Sequence, residues 1–227
     1  MPQQSTLAVV ATGPDRPNVS ERTYQNLRSR ILEGGLPPGT VLTERRMAGL
    51  LGVSRTPLRG ALSRLEGEGL VERLANGAVV IRRFSIDDLL QILTVRRALE
   101  AEAAALATGR ASPAVLGALA EEARVFAAGT CADFERFWRH DDHFHDVVAE
   151  AAGQPLLEGM IADLRRKGRM CHAPRMPASF VEQGREHLAV LEALAGSDPD
   201  LSRRRMQAHL DAVRGRLVAW LTRAVPA

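Results

Sequence analysis

Leu51-Gly52-Val53-Ser54-Arg55-Thr56-Pro57-Leu58-Arg59 ends one helix and starts another within three residues. Gly52 stops the incoming helix, Val53 fills the turn, and Ser54 is a favoured N-cap for the next one. Pro57 falls in the new helix's first turn, where a missing N–H costs nothing. Leu58, Ala61, Leu62 and Leu65 then follow the i, i+3, i+4, i+7 spacing of a buried stripe. On the upstream side Thr43 is placed to cap a helix with Met47, Ala48 and Leu51 inward. Two helices joined by so short a turn read as a helix-turn-helix.

The flanking sequence completes a module. Before the pair comes a helix with Tyr24, Leu27, Ile31 and Leu32 on one face, closed by Gly34-Gly35. Leu36-Pro37-Pro38-Gly39 follows as a turn, and Val41-Leu42 as a short extended piece. After the pair, Glu68-Gly69 stops the helix, and residues 70–74 and 78–83 read as strands joined at Asn76-Gly77, a strong hairpin signal. Three helices and a β-hairpin wing over residues 20–84 predict a winged helix-turn-helix. Residues 1–19 contain Pro, Gly and Gln without apolar periodicity and read as a mobile tail.

From Ser85 on, residues 85–227 show helical patterns alone, six in number, with Ser112-Pro113, Pro155, a Ser179-to-Glu182 capping box and Asp198-Pro199 marking starts. Short connections predict a mainly α protein whose second domain is an antiparallel helical bundle. No apolar run is long enough to span a bilayer and no secretory signal is evident, so the cytoplasm is the expected location. Cys131 and Cys171 lack metal-site or redox spacing and read as free thiols.

Charge divides along the chain. Residues 21–83 hold 11 Arg against 6 acidic residues, whereas residues 84–227 hold 18 Lys plus Arg against 20 acidic ones. A basic module ahead of a slightly acidic one assigns nucleic-acid binding to the first part. Arg55, Thr56, Arg59 and Ser63 lie opposite the buried stripe of their helix, and Arg45 projects the same way from the helix before. Arginines near the start of such a helix can reach guanine O6 and N7 in the major groove, while Ser54, Thr56 and the first backbone N–H groups suit phosphates. Any one of these arginines alone fits a solvated surface; the set, with the turn and the wing, points to double-stranded DNA.

The third helix of the second half carries Phe134, Phe137, Trp138, Phe144, Val148 and Ala152 on one stripe, with Asp141 and His145 inside it one turn apart. His140, Asp142, His143 and Asp146 are assigned to its polar side. His187 lies in line with Leu188, Leu191 and Leu194, and His209 with Met206, Leu210 and Leu217. One Asp and three His from three helices thus aim at the core. Spacing leaves two readings open: four hydrogen-bonded core residues, or a divalent ion that satisfies all four. The donor set suits zinc first, and nickel or manganese if water or effector oxygens complete the shell.

The motifs also resemble a known family. Leu36-Pro37-Pro38-Gly39, Leu42-Thr43-Glu44-Arg45, the Leu51–Arg59 stretch and Glu68-Gly69-Leu70 resemble the DNA-binding domain of GntR-family repressors. The resemblance implies a homodimer on a palindromic operator, with Arg45, Arg55 and Arg59 reading bases and the Asn76-Gly77 wing tip in the minor groove. Gly60 departs from the usual Glu, and the wing is one residue short. Arg96-Arg97-Ala98-Leu99-Glu100, Asp141-Asp142-His143-Phe144-His145, Arg185-Glu186-His187 and Met206-Gln207-Ala208-His209 resemble the FCD effector domain of the FadR subfamily, with Gln154 a mild departure. That implies a divalent ion held by Asp141, His145, His187 and His209, and a response to small organic acids such as lactate, gluconate or dicarboxylates. Arg96 is the first choice to complete the acid's neutralisation, with Arg166 and Arg169 behind it.

Two other classes compete with an effector-controlled regulator. In a metal sensor the ion itself is the signal. A metalloenzyme would need a general base, and Glu186 and Asp142 are read as pointing away from the cluster. A regulator without enzymatic activity is the expectation.

Overall fold

The computed structural model describes residues 19–32, 34–170 and 179–224. The expected tail, apart from Val19 itself, lies outside them, as does Cys171. The chain divides between Arg83 and Phe84 into two compact units.

The first unit contains α1 (Val19–Leu32), β1 (Val41–Leu42), α2 (Glu44–Leu51), α3 (Arg55–Gly67), β2 (Val71–Arg73) and β3 (Val79–Ile81). α1 opens at Val19, inside the stretch expected to be tail. Leu27 and Ile31 of α1 and Leu58, Ala61, Leu62 and Leu65 of α3 are all buried, and α1 packs on α3. The far end of that contact is clamped by polar groups. The Tyr24 hydroxyl and Arg28 Nε both bond Glu68, the latter at 3.0 Å, while the Arg64 guanidinium lies 3.7 Å above the Tyr24 ring. At the near end a Cβ on Gly60 would come within 2.9 Å of Ser20 Oγ on α1, which gives a physical role to that departure from the family pattern.

Gly52 makes the turn between α2 and α3 in the left-handed conformation, φ 63°, and its N–H bonds the Ala48 carbonyl. Thr43 and Ser54 stand at the N-cap positions with extended backbone, but neither side chain makes a cap hydrogen bond. Only Met47 of the three expected inward residues of α2 is fully buried; Ala48 and Leu51 are half-buried.

The strands are shorter than the sequence suggests, and Val41-Leu42 joins them. The antiparallel sheet has the order β1-β3-β2, with Val41 opposite Val80 and Val71 opposite Ile81. The hairpin also closes differently from a two-residue Asn-Gly turn. Gly77 N–H bonds the Leu74 carbonyl and Leu74 N–H bonds the Ala78 carbonyl, both at 2.8 Å, so Ala75, Asn76 and Gly77 form a three-residue loop. Gly77, at φ 81°, supplies the left-handed residue such a loop needs.

The second unit is all helix among its described residues: α4 (Ile86–Ala107), α5 (Pro113–Ala127), α6 (Phe134–Ala151), α7 (Pro155–Met170), α8 (Phe180–Ala195) and α9 (Pro199–Ala224). Ser85 and Asp88 form a reciprocal capping box at the start of α4. The box expected at Ser179 does not form: its backbone, at φ −104° and ψ 1°, lacks the extended N-cap conformation, and its hydroxyl accepts from Gln183 Nε2 at 2.6 Å. Packing partners are mostly not sequence neighbours: α4 lies on α9, α6 and α7, and α5 on α8. One apolar core joins α4, α6, α8 and α9 residues such as Leu93, Phe144, Val190, Leu191 and Leu210, and a smaller aromatic cluster holds Phe126, Phe137 and Phe180. No helix of the described residues is long and apolar enough to cross a membrane.

The α5–α8 contact depends on Gly184. A Cβ there would lie 2.7 Å from the Ala127 nitrogen and 2.8 Å from the Ala123 oxygen, and backbone cannot swing aside as a side chain can. Alanine is the better helix former by about 1 kcal/mol, yet we expect Gly184→Ala to destabilise by about 1–3 kcal/mol through overpacking. Thermal unfolding measures this; a midpoint at or above that of the parent would contradict so close an approach.

Candidate functional site

The DNA-reading candidates are all exposed in the first unit. Arg45, Ser54, Arg55, Thr56 and Arg59 are all solvent-exposed on α2, at the α3 N-terminus and along α3, and Asn76 and Gly77 are exposed at the wing tip. Because Ser54 makes no side-chain cap bond, its hydroxyl and the first N–H groups of α3 remain available to an anion. Arg59 was not expected to have a partner, but its Nε meets both Glu44 oxygens, at 3.0 and 2.8 Å. An exposed pair of this kind is worth at most about 1 kcal/mol, so it orients the guanidinium without withholding it. The Asn76 carboxamide oxygen accepts from Ala78 N–H at 3.0 Å and shapes the loop, which leaves the amide NH2 as its outward group.

In the second unit the helical periods bring four side chains to one point. Asp141 and His145 come from α6, His187 from α8 and His209 from α9, all buried, and one ligand atom from each lies within 4.8 Å of every other. Each histidine is pinned from behind through Nδ1. His145 Nδ1 meets the Glu100 carboxylate of α4, His187 Nδ1 lies 3.1 Å from His140 Nε2, and His209 Nδ1 bonds Glu186 Oε2 at 2.9 Å. The other ring nitrogens are thereby directed inward: His145 Nε2 and His187 Nε2 lie 3.7 and 3.6 Å from Asp141 Oδ1. His187 Nε2 is buried without a hydrogen-bond partner. A carboxylate oxygen and three imidazoles, each ring with a polar partner behind it, form a donor set that suits a divalent ion.

Electrostatics hold the ligands in the protonation states an ion needs. Burial would raise the Asp141 carboxyl, but Arg165, then His145 and His187, outweigh it and keep it well below the usual carboxylate range. The same contest ends the same way at Glu100, where Arg96 and His145 prevail over burial. Burial, reinforced by the neighbouring His209, pushes His187 well below the usual imidazole value; burial also lowers His209 against the opposing bond from Glu186. Asp141 is thus charged, and both His187 and His209 are driven towards the neutral form.

A cavity of about 130 Å³ opens beside the cluster, lined by Asp141, His145 and His209 together with Arg96, Arg165 and Arg169. Arg96 and Arg169, two of the candidate effector arginines, are thus among the lining residues. Arg166 does not line the cavity and pairs with Asp163. Several members of the site went unrecognised in the sequence. Arg165 is buried and bonds Asp141 Oδ2 at 2.8 Å and Asp142 Oδ1 at 2.7 Å. Glu100 is fully enclosed behind His145. His140, assigned above to the polar side of α6, is buried, because at i+3 from Phe137 and i−4 from Phe144 it shares their stripe. Glu186 faces the cluster rather than pointing away, with Arg216 bidentate on its far side at 2.5 and 2.9 Å. Asp142 is engaged by Arg165 and Arg169.

Comparison with known proteins adds an independent line. The profile of the bacterial regulatory proteins of the gntR family matches residues 19–81, and that of the FCD domain matches residues 91–212. An uncharacterised HTH-type transcriptional regulator of Streptomyces ambofaciens is 31% identical over 197 residues, covering 84% of this chain and 81% of that protein. A putative L-lactate dehydrogenase operon regulatory protein of Escherichia coli is 31% identical over 221 residues, covering 86% and 84%. Among solved structures, E. coli McbR/YncC matches with a TM-score of 0.68 at 24% identity, over 90% of this chain and 99% of its own, a likeness of fold.

Arg165 gives the site its testable weak point. Arg165→Met would leave a buried charge at Asp141 without its main partner, and we expect a loss of about 3–5 kcal/mol in metal-stripped protein. Denaturant unfolding reads it; a loss below about 1 kcal/mol would mean that Asp141 is not held as a buried anion.

Proposed function

The chain belongs to the gntR family of bacterial regulators and carries the FCD domain of its FadR-like members, a DNA-binding transcriptional regulator; from that premise we propose that it is a repressor whose operator affinity is set by an organic acid bound at a divalent ion. The reading rests above all on the convergence of Asp141, His145, His187 and His209 to within 4.8 Å, with every imidazole oriented from behind. The ion would be zinc, or nickel or manganese with added oxygen ligands. When bound, it would supply a Lewis-acidic centre for a carboxylate. The protein's own part is to keep Asp141 ionised through Arg165 and to hold three rings in fixed orientations. Because the ligands come from α6, α8 and α9, an acid that favours one arrangement of those helices over another biases the domain.

On the DNA side, Arg45, Arg55 and Arg59 read base edges, Ser54 and Thr56 hold phosphates, and the Asn76-Gly77 tip enters the minor groove. A single winged domain spans too few base pairs to be selective, which favours a homodimer on a palindrome. The E. coli relative's printed association with an L-lactate dehydrogenase operon supports an organic acid as the signal. Both carboxylates that could serve as a base beside the cluster, Glu186 and Asp142, are engaged by arginines, which favours a switch over catalysis.

The test combines elemental analysis with binding to a mapped operator. The parent should carry one divalent ion per chain, and His145→Ala and His187→Ala should lose it, unfold at lower temperature and lose the response to acids, which in the parent amounts to about 1–3 kcal/mol of coupling. Arg55→Ala and Arg59→Ala should each weaken operator binding by about 1–3 kcal/mol with the metal retained. A parent free of metal after purification without chelators, with acid response unchanged in both histidine variants, would return the cluster to a hydrogen-bonded core. A response to added metal with no acid present would make the ion itself the signal.

A further inference from the structure

We propose that the cavity beside the cluster takes an acid with one carboxylate on an apolar body about the size of a single ring, in preference to a small hydroxy acid or a dicarboxylate; this rests on the reading of the cluster as a metal site. The charges lining the cavity are matched within the protein. Arg96 Nε lies 2.5 Å from Glu100, Arg165 bridges Asp141 and Asp142 at 2.8 and 2.7 Å, and Arg169 also meets Asp142. Three guanidinium groups thus face three carboxylates, and the unmatched positive charge arrives with the ion. One carboxylate has a place at that end, with Arg96 beside it. Among the described lining residues, a second carboxylate farther along meets no cation that is not already paired with a carboxylate.

Most of the remaining wall is apolar, with Leu93, Phe137, Trp138, Phe180, Leu210 and Val213. Phe137 and Phe180 are stacked with ring centroids 4.5 Å apart, so the aromatic end is a preformed surface. Two polar side chains in this wall, Ser179 and Gln183, are bonded to each other at 2.6 Å. A hydroxyl or second carboxylate placed against the Leu93, Phe137, Trp138, Leu210 and Val213 side chains would surrender its water without a matching partner. An apolar body would be favoured there by its own transfer from water. Size sets the upper limit. The cavity is about 130 Å³, slightly below the roughly 150 Å³ of an apolar cavity that holds one benzene molecule, so a short branched chain fits, a single ring is the upper limit and a long acyl chain is excluded.

The experiment is thermal unfolding of the zinc-loaded full chain titrated with phenylacetate, L-lactate and malate. Phenylacetate should stabilise at concentrations about tenfold lower than either of the others. Val213→Thr, which keeps the volume and adds a hydroxyl to the half-buried wall, should weaken phenylacetate while leaving the zinc content unchanged. His145→Ala should abolish the response to all three acids. If lactate or malate matches phenylacetate and His145→Ala still abolishes the response, the apolar-body proposal fails while the metal reading stands. If phenylacetate stabilises the His145→Ala protein as well as the parent, the ion is not its anchor and the proposal is likewise overturned. No shift with phenylacetate at millimolar concentration overturns it too.

Discussion

A carboxylate enclosed in a helical bundle must be neutralised where it stands, and around Asp141 that requirement reaches into most of the second domain. One oxygen is held by Arg165 from α7, and the other faces the Nε2 atoms of His145 and His187 from α6 and α8. Behind His145 stands Glu100 of α4, itself neutralised by Arg96; behind His209 of α9 stands Glu186, neutralised by Arg216. Five of the six helices contribute a charged or imidazole group. Such a network is poor evidence of stability, because desolvation opposes nearly all of its Coulombic gain. Its yield is orientation: three imidazole nitrogens and one carboxylate oxygen aimed at a common point.

The DNA-binding half answers to a different constraint. Leu58, Ala61, Leu62 and Leu65 fix the inner face of α3 against α1, and the same helical period then fixes Arg55, Thr56 and Arg59 on the outside. Gly52 sets the turn and leaves α3 starting with a free N-terminus. The exposed face proposed to meet DNA is thus a by-product of how the core is packed. The two halves also divide the chain's charge, basic in residues 21–83 and slightly acidic beyond.

How much of this is legible in the sequence follows from which signals are local. Asp141, His145, His187 and His209 stand on strong apolar stripes, and helical period alone is enough to aim them inward. His140 was legible by the same rule, three residues after Phe137 and four before Phe144, but four polar or charged neighbours between Arg139 and His143 masked it. Arg165 carries no such mark: in Arg165-Arg166-Lys167 nothing local separates the residue that meets Asp141 from those that do not. Its burial is decided by α7 packing on α4 and α6, a non-local fact. The same holds for α4 lying on α9, since short loops constrain only sequence neighbours. Ser179 shows the reverse failure, a local capping motif that the backbone conformation at Ser179 does not realise. At the wing, Asn76-Gly77 located the hairpin, but the bonds from Leu74 set a three-residue loop.

X-ray absorption at the metal edge of the purified full-length chain probes the central claim most directly, since it reads the donor atoms themselves. The account predicts one bound ion with imidazole scattering from three histidines and an oxygen shell, at about 2.0–2.2 Å if the ion is zinc. A spectrum without imidazole scattering, or one dominated by sulfur, would contradict it.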